Sequence, residues 1–326
     1  MNFRTFNDLN QSITQHLHKM PRDIDLVAGI PRSGLIPANL IALYLNKPLA
    51  DLDGLLEGRT LSVGQRLGDQ STLPSNPHVL LVDDSISTGH ALDRAKNKIA
   101  SSTFTGSWQT LVIYAENKSK HKVDHHLEIC PQPRMFQWNW AHSGQLSNAC
   151  LDIDGVLCVD PTVEQNDDGS NYIDFIRTAQ PLNIPTTKVG ALVTSRLEKY
   201  RAHTEAWLTQ HNIQYDQLIM LDLPDAETRR RLRTHAAHKA AFYKKSRYNL
   251  FVESAPQQAI TIAQTTGKAV FCTDNQSFHP PTTTAQLNHH KNQITAHAHY
   301  KYSHWMMRIQ NKIHKISKGV VGRRAA

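Results

Sequence analysis

The amino-acid sequence predicts an α/β protein made of two consecutive parallel-sheet units with a basic helix towards its C-terminal end. Three observations carry this. Apolar runs of strand length alternate with helix-length segments across 23–115 and again across 148–273, the pattern of parallel sheets wound with helices. A polar and aromatic stretch, 116–145, separates the two series. The length of 326 residues and the 40% hydrophobic content suit two domain cores rather than one.

The elements follow in order. Residues 1–20 read as a helix, and "DIDLVAGI" (23–30) as a buried strand that ends at "PRSG". "LIPANLIALYLN" (35–46) is an apolar helix and "KPLADLDG" (47–54) a returning strand. Residues 54–77 lack periodicity and read as a long loop, the kind that carries function in compact domains. "HVLLV" (78–82) is a strand, 90–100 a helix and "WQTLVIYA" (108–115) a strand. The second series has strands at 148–156, 189–196, 218–221, 248–254 and 268–273. A loose His-, Thr- and Asn-rich connection follows at 276–300, then a helix at 300–320. The expected divisions are 1–145, 146–275 and 276–326.

Composition narrows the function classes. The formal net charge is +8 and the pI near 9.3, so an anionic partner is expected. The four cysteines form no CxxC pair and no disulfide-scaffold pattern, which points to a reducing cytoplasm. Neither a signal-peptide core nor an apolar run of membrane-spanning length is seen. None of the 19 histidines has metal-ligand spacing to acids or cysteines. In the tail, Trp305, Ile309, Ile313, Ile316 and Val320 share a helical face flanked by Arg308, Lys312, Lys315 and Lys318. Packing on its own domain would produce that pattern, as would a helix lying on anionic lipid over 300–324.

The first motif is "VLLVDDSISTGH" (79–90). Asp83 and Asp84 stand at a strand end, where ligands bind in open parallel sheets. Two carboxylates there can accept from both hydroxyls of a vicinal diol. Ser85, Ser87, Thr88 and Gly89 form the turn into a helix, whose backbone N–H groups suit a phosphate. A diol beside a phosphate describes ribose 5-phosphate, although a strand with an ordinary helix cap would read the same way. The stretch resembles the 5-phosphoribosyl-1-pyrophosphate (PRPP) signature of type I phosphoribosyltransferases. "VAGIPRSGLIPA" (27–38) is similar to that family's pyrophosphate loop, with Arg32, Ser33 and Gly34 at the loop. The resemblance covers roughly 1–125. It implies substitution at ribose C1 with Mg²⁺ as cofactor, and a mobile loop at 54–77 carrying Arg59 and Arg66. No base-framing pattern stands out in "AENKSKHKVDHH" (115–126), where Lys118, Lys122 and Asp124 lie.

The second motif is "CLDIDGVLCVDP" (150–161). Asp152-x-Asp154 followed by Gly155 resembles motif I of haloacid-dehalogenase-like phosphatases, and Thr194, Lys239 and Glu253 follow in that family's order. The resemblance implies that Asp152 attacks phosphorus and that Asp154 moves the proton. It further implies that Thr194 and Lys239 hold phosphoryl oxygens and that Mg²⁺ binds at Asp152, Asp154 and Glu253. Ser254 stands where many members carry a second acid. The order of the two units is similar to ribose-containing capsule polymerases. It leads to an expected enzyme that transfers ribose 5-phosphate to a hydroxyl of a sugar or polyol phosphate in surface-glycan synthesis and then removes the 5-phosphate. The alternatives are a nucleobase phosphoribosyltransferase fused to a nucleotidase, and a PRPP-sensing module. Nucleic acid is not the favoured partner, and the oligomeric state stays open. The expected location is the cytoplasm or the inner face of the membrane.

Overall fold

Capping chemistry decides where the chain's first element begins. A computed structural model describes residues 1–61, 73–232 and 234–282. Arg66 and the tail helix over 300–324 lie outside these residues. Thr5 and Asp8 form a reciprocal capping box: the Thr5 hydroxyl accepts from the Asp8 amide at 3.0 Å, and the Asp8 carboxylate accepts from the Thr5 amide at 2.8 Å. Helix α1 (Phe6–His16) therefore starts after Thr5, and the residues before it are free to form strand β1 (Asn2–Arg4). The expected single helix over 1–20 is corrected accordingly.

The first sheet has the order β3-β2-β4-β5-β6, all parallel. Its strands are β2 (Leu26–Gly29), β3 (Leu49–Asp51), β4 (His78–Ile86), β5 (Ser107–Ala115) and β6 (His125–Ile129). Helices α2 (Leu35–Leu45), α3 (Leu52–Leu56) and α4 (His90–Ala100) connect them. Two boundaries differ from expectation. The strand expected over 47–54 stops at Asp51 because its carboxylate accepts from the Gly54 amide at 2.5 Å and opens α3. The strand expected over 78–82 runs on to Ile86 because β5 offers partners that far, ending at Ile86 with Ala115. Strand β6 was hidden by its polar sequence, which a sheet edge tolerates.

The second sheet has the order β10-β9-β8-β11-β12-β13, parallel except for β13. Its strands are β8 (Ala149–Leu151), β9 (Val189–Leu197), β10 (Tyr215–Leu221), β11 (Leu250–Glu253), β12 (Val270–Cys272) and β13 (Phe278–His279). The helices are α5 (Ser170–Thr178), α6 (Arg201–Gln210), α7 (Ala226–Leu232), α8 (His235–Lys245) and α9 (Pro256–Thr266). Strand β1 pairs in parallel with β7 (Arg134–Phe136). That pairing carries Phe3 against Phe271 and Phe278, with ring centroids 4.8 Å away in each case. The apolar core of the second sheet thus takes in Phe3, Met135, Trp140 and Leu146 from the first series and the connecting stretch. Each such side chain contributes on the order of 1.5–3 kcal/mol on burial. Among the described residues no helix is long and apolar enough to cross a membrane.

Both sheets reverse their winding once. In the first, β2 leads outward to β3 and β4 to β5, so the reversal lies between β2 and β4. In the second it lies between β8 and β11. Such crevices at the carboxyl ends of strands are where open α/β sheets bind ligands. "PRSG" and "DDSISTG" border the first crevice, and "DIDG" and "VES" border the second.

Candidate active sites

At the first crevice, close backbone approach assembles the site. A Cβ on Gly34 would lie 2.5 Å from the Ile30 carbonyl, 2.7 Å from that of Val82 and 2.9 Å from Asp83 Oδ1. Glycine at this position therefore lets the loop bearing Arg32 and Ser33 touch the end of β4. Asp83 and Asp84 are both buried, and the Asp84 amide donates to Asp83 Oδ1 at 2.9 Å. Burial, then the Asp84 charge, pushes the Asp83 carboxyl up to about 8. Gly89 caps α4 with φ at +95°, and the Lys122 ammonium donates to the Thr88 carbonyl across that turn at 2.8 Å. Ser85, expected in the turn, is half-buried within β4 and pairs with Tyr114 of β5, so the half-buried Ser87 and the exposed Thr88 make the turn. Arg59 is exposed and paired with Glu57.

Further side chains of this site carry no motif. The Trp138 indole N–H donates to Asp84 Oδ2 at 2.7 Å. Its ring lies nearly parallel to Phe136, with centroids 4.9 Å apart and planes 9° apart, and Tyr114 continues the stack. Glu116, at the end of β5, is buried. Desolvation would raise its carboxyl, but hydrogen bonds with Ser87, Gln132 and Lys118 prevail and hold it down at about 2. The aromatic run "FQWNW" was the only signal for Trp138, and its contact with Asp84 spans 54 positions of chain. Asp124 accepts from the Thr110 amide and hydroxyl, which pins β6 to β5.

The second crevice opens into a cavity of about 860 Å³ lined by Asp152, Asp154, Thr194 and Lys239, among others. The Lys239 ammonium is buried and bridges Asp152 Oδ2 at 2.5 Å and Glu253 Oε2 at 2.7 Å. Desolvation would lower this ammonium, but the two carboxylates prevail and hold it above the usual lysine range. The fully buried Arg196, on β9, holds Asp154 through two nitrogens, the shortest contact being Nη2 to Oδ1 at 2.6 Å. Ser254 donates to the Asp154 main-chain carbonyl at 3.3 Å. A Cβ on Gly155, whose φ is +73°, would meet that hydroxyl at 2.3 Å. The acids of "NDDG" serve the frame: Asp167 caps α5, and Asp168 accepts from Lys199, Tyr200 and the Ala226 amide.

Among the described residues no three acid, histidine or cysteine side chains gather into a metal cage. Glu253 is taken up by Lys239 and by the Ser254 and Ala255 amides, so it does not offer the free oxygen expected of it. The acids that do line the cavity are Asp152, Asp154, Asp160 and Asp274. Burial, then Asp154, Glu253 and Asp274, raises the Asp160 carboxyl. Hard oxygens with excess negative charge suit a cation that keeps part of its water shell, so the residues fit Mg²⁺ held by one or two carboxylates.

Comparison with known proteins addresses the first unit. Residues 4–145 match the phosphoribosyl transferase domain family. The chain is 26% identical over 162 residues to a xanthine-guanine phosphoribosyltransferase of Chromohalobacter salexigens, covering 49% of this chain and 89% of that protein. A purine phosphoribosyltransferase structure from Pyrococcus horikoshii Ot3 aligns at 16% identity and a TM-score of 0.32, over 42% of this chain and 92% of that one. The xanthine-guanine-hypoxanthine phosphoribosyltransferase of Helicobacter pylori aligns at 12% identity and a TM-score of 0.30, over 42% and 91%. The first unit is a phosphoribosyltransferase domain, and such a domain implies PRPP as a substrate. The family match ends at residue 145, so the chemistry of the second unit rests on its own geometry.

Proposed function

We propose that the chain performs two reactions on one ribose: PRPP-dependent phosphoribosyl transfer to a nucleobase-like heterocycle, then hydrolysis of a phosphomonoester. The observation that carries the choice of acceptor is Trp138. Its flat ring lies on an aromatic stack and is hydrogen-bonded to Asp84, a carboxylate assigned to the ribose diol. A planar heterocycle stacked there would lie beside ribose C1. The named relative acts in the same direction, since it is a xanthine-guanine phosphoribosyltransferase. The hydroxyl acceptor of surface-glycan synthesis has only the order of the units behind it, and the expected membrane helix lies outside the described residues.

In the transfer step the bond from C1 to pyrophosphate breaks and a C1–N bond forms, with the ring nitrogen losing its proton. Asp83 and Asp84 hold the 2′- and 3′-hydroxyls, the turn from Ser87 to Gly89 holds the 5-phosphate, and Arg32, Ser33 and Gly34 hold the leaving pyrophosphate. The contribution is positioning and electrostatics. In the second step Asp152 attacks phosphorus while Thr194 and Lys239 hold the phosphoryl oxygens. Asp154, aimed by Arg196, passes a proton to the leaving oxygen and then takes one from water. Mg²⁺ at Asp152 and the acids beside it would neutralise phosphoryl oxygens.

Pyrophosphate release from PRPP and Mg²⁺ is the test, with xanthine, guanine, hypoxanthine and orotate in one set and ribitol phosphate or capsule oligomers in the other. Release with a member of the first set is the expected result. Release confined to the second set would return the acceptor to a hydroxyl.

A further inference from the structure

The cations at the second crevice fall into two kinds. Lys239 and Arg196 are neutralised where they stand, by Asp152 with Glu253 and by Asp154. Arg229, on α7, is 5% exposed and lines the same cavity. Among the described residues it pairs with no carboxylate. It donates from Nη1 to the Ser195 carbonyl at 3.0 Å and from Nη2 to Asn166 Oδ1 at 3.1 Å. Among the described residues its buried Nε–H has no partner, and neither has the hydroxyl of Ser195, which lines the cavity beside it. A buried guanidinium held only by neutral acceptors is costly, as is each buried donor left unbonded. Both costs disappear when an anion with several acceptor oxygens enters, because guanidinium and hydroxyl then share one oxyanion.

Resting on the phosphomonoesterase reading of this cavity, we infer that Arg229 and Ser195 form a second oxyanion subsite. The substrate would be a phosphomonoester that carries another oxyanion, a phosphate or a carboxylate, at a distance from the reacting phosphoryl group. The separation of charge supports two positions rather than one. The cation against the attacking carboxylate is Lys239, at 2.5 Å, whereas Arg229 makes no ion pair with Asp152 or Asp154. Arg229 is instead anchored to Asn166, in the segment that precedes α5. Two neutral contacts fix the guanidinium, so its free edge is ordered before a ligand arrives.

The experiment compares phosphate release from adenosine 5′-monophosphate, adenosine 3′,5′-bisphosphate and orotidine 5′-monophosphate by the full chain and by Arg229→Gln and Arg229→Lys. The expected wild-type preference, in kcat/KM, is at least about tenfold for a doubly anionic ester over the monophosphate, as for one charge-assisted hydrogen bond. Arg229→Gln should remove the preference and Arg229→Lys keep part of it. Preference for the bisphosphate alone identifies a second phosphate, and preference for the orotidine ester alone a carboxylate. Equal losses on all three esters would assign Arg229 to the reacting phosphoryl group and overturn the inference, as would a wild type without preference. Should no ester release phosphate, the hydrolase reading fails separately. Calorimetric binding of adenosine 3′,5′-bisphosphate to wild type and Arg229→Gln then decides the subsite, an equal affinity overturning it.

Discussion

The two crevices surround their carboxylates with different partners. Asp83 and Asp84 are buried side by side with an indole N–H and a backbone amide as their recorded partners, and Asp83 is raised towards neutrality as a result. Asp152 and Glu253 are buried against Lys239, and the half-buried Asp154 is held by Arg196. Acids left to neutral donors suit hydroxyl groups, which bring hydrogen bonds without charge. Burial raises the Asp152 carboxyl as well, although Lys239 opposes the shift, so a cation already stands where charged oxygens would move. The same residue type at the same topological position is thus given a different chemical setting by what stands next to it.

The sharpest way to break this comparison is to silence one crevice and watch the other. Asp152→Asn should lower phosphate release by about 10⁴-fold, since it removes the oxygen proposed to attack phosphorus, and leave transfer intact. Mass spectrometry should then show a ribosylated product that keeps its phosphate. An unphosphorylated product from that variant would mean that the second crevice does not act after the first.

Lys239→Met tests the interlock itself. It leaves Asp152 and Glu253 buried without their cation, and loss of one partner of a buried pair costs about 3–5 kcal/mol. Chemical denaturation should register that loss. Asp152→Asn combined with Lys239→Met should recover part of it, because less uncompensated charge remains.

Asp83→Asn should separate function from stability. Transfer is expected to fall up to about tenfold, the worth of a hydrogen bond between neutral groups. Stability should move the other way. The native Asp83 carboxyl titrates at about 8, whereas the unfolded chain's titrates near 3.9. Between those values the native state binds more protons than the unfolded one, so this group's contribution falls as pH rises from about 4 to about 8. Asparagine removes that fall. The variant should gain on wild type across the window and match its pH dependence below about pH 4. Parallel stability profiles over the whole range would show that Asp83 is not raised.

The smallest expected effect is at Trp138. Trp138→Phe keeps a flat ring and loses the donor to Asp84, which should change KM for the heterocycle a few-fold at about 1 kcal/mol. Trp138→Ala should cost more, about 1–3 kcal/mol as for loss of a stacked ring. If both variants take up the acceptor as wild type does, the stack is structural.

Much of this was legible from local pattern. Strand-end acids followed by a glycine turn were visible as "DDSISTG" and "DIDG", because the residues that make a turn are adjacent in sequence. Trp138, Arg196 and Arg229 were not. Trp138 meets Asp84 across 54 positions, Arg196 meets Asp154 across 42, and Arg229 meets Asn166 across 63. Their roles depend on which partner the fold presents. Glu253 shows the converse: its place after a strand was correct, but its oxygens are taken by Lys239 and two backbone amides.

By itself the sequence determined the alternation of strands and helices, the positions of both acid turns and the glycines they need. These follow from backbone geometry and hydrophobic periodicity within short windows. Only the tertiary structure decided that Phe3 packs on Phe271 and Phe278, that an indole N–H donates to Asp84, and that one buried guanidinium faces its cavity without a counter-charge among the described residues. Burial and charge compensation are properties of neighbours in space, and a one-dimensional pattern carries no record of them.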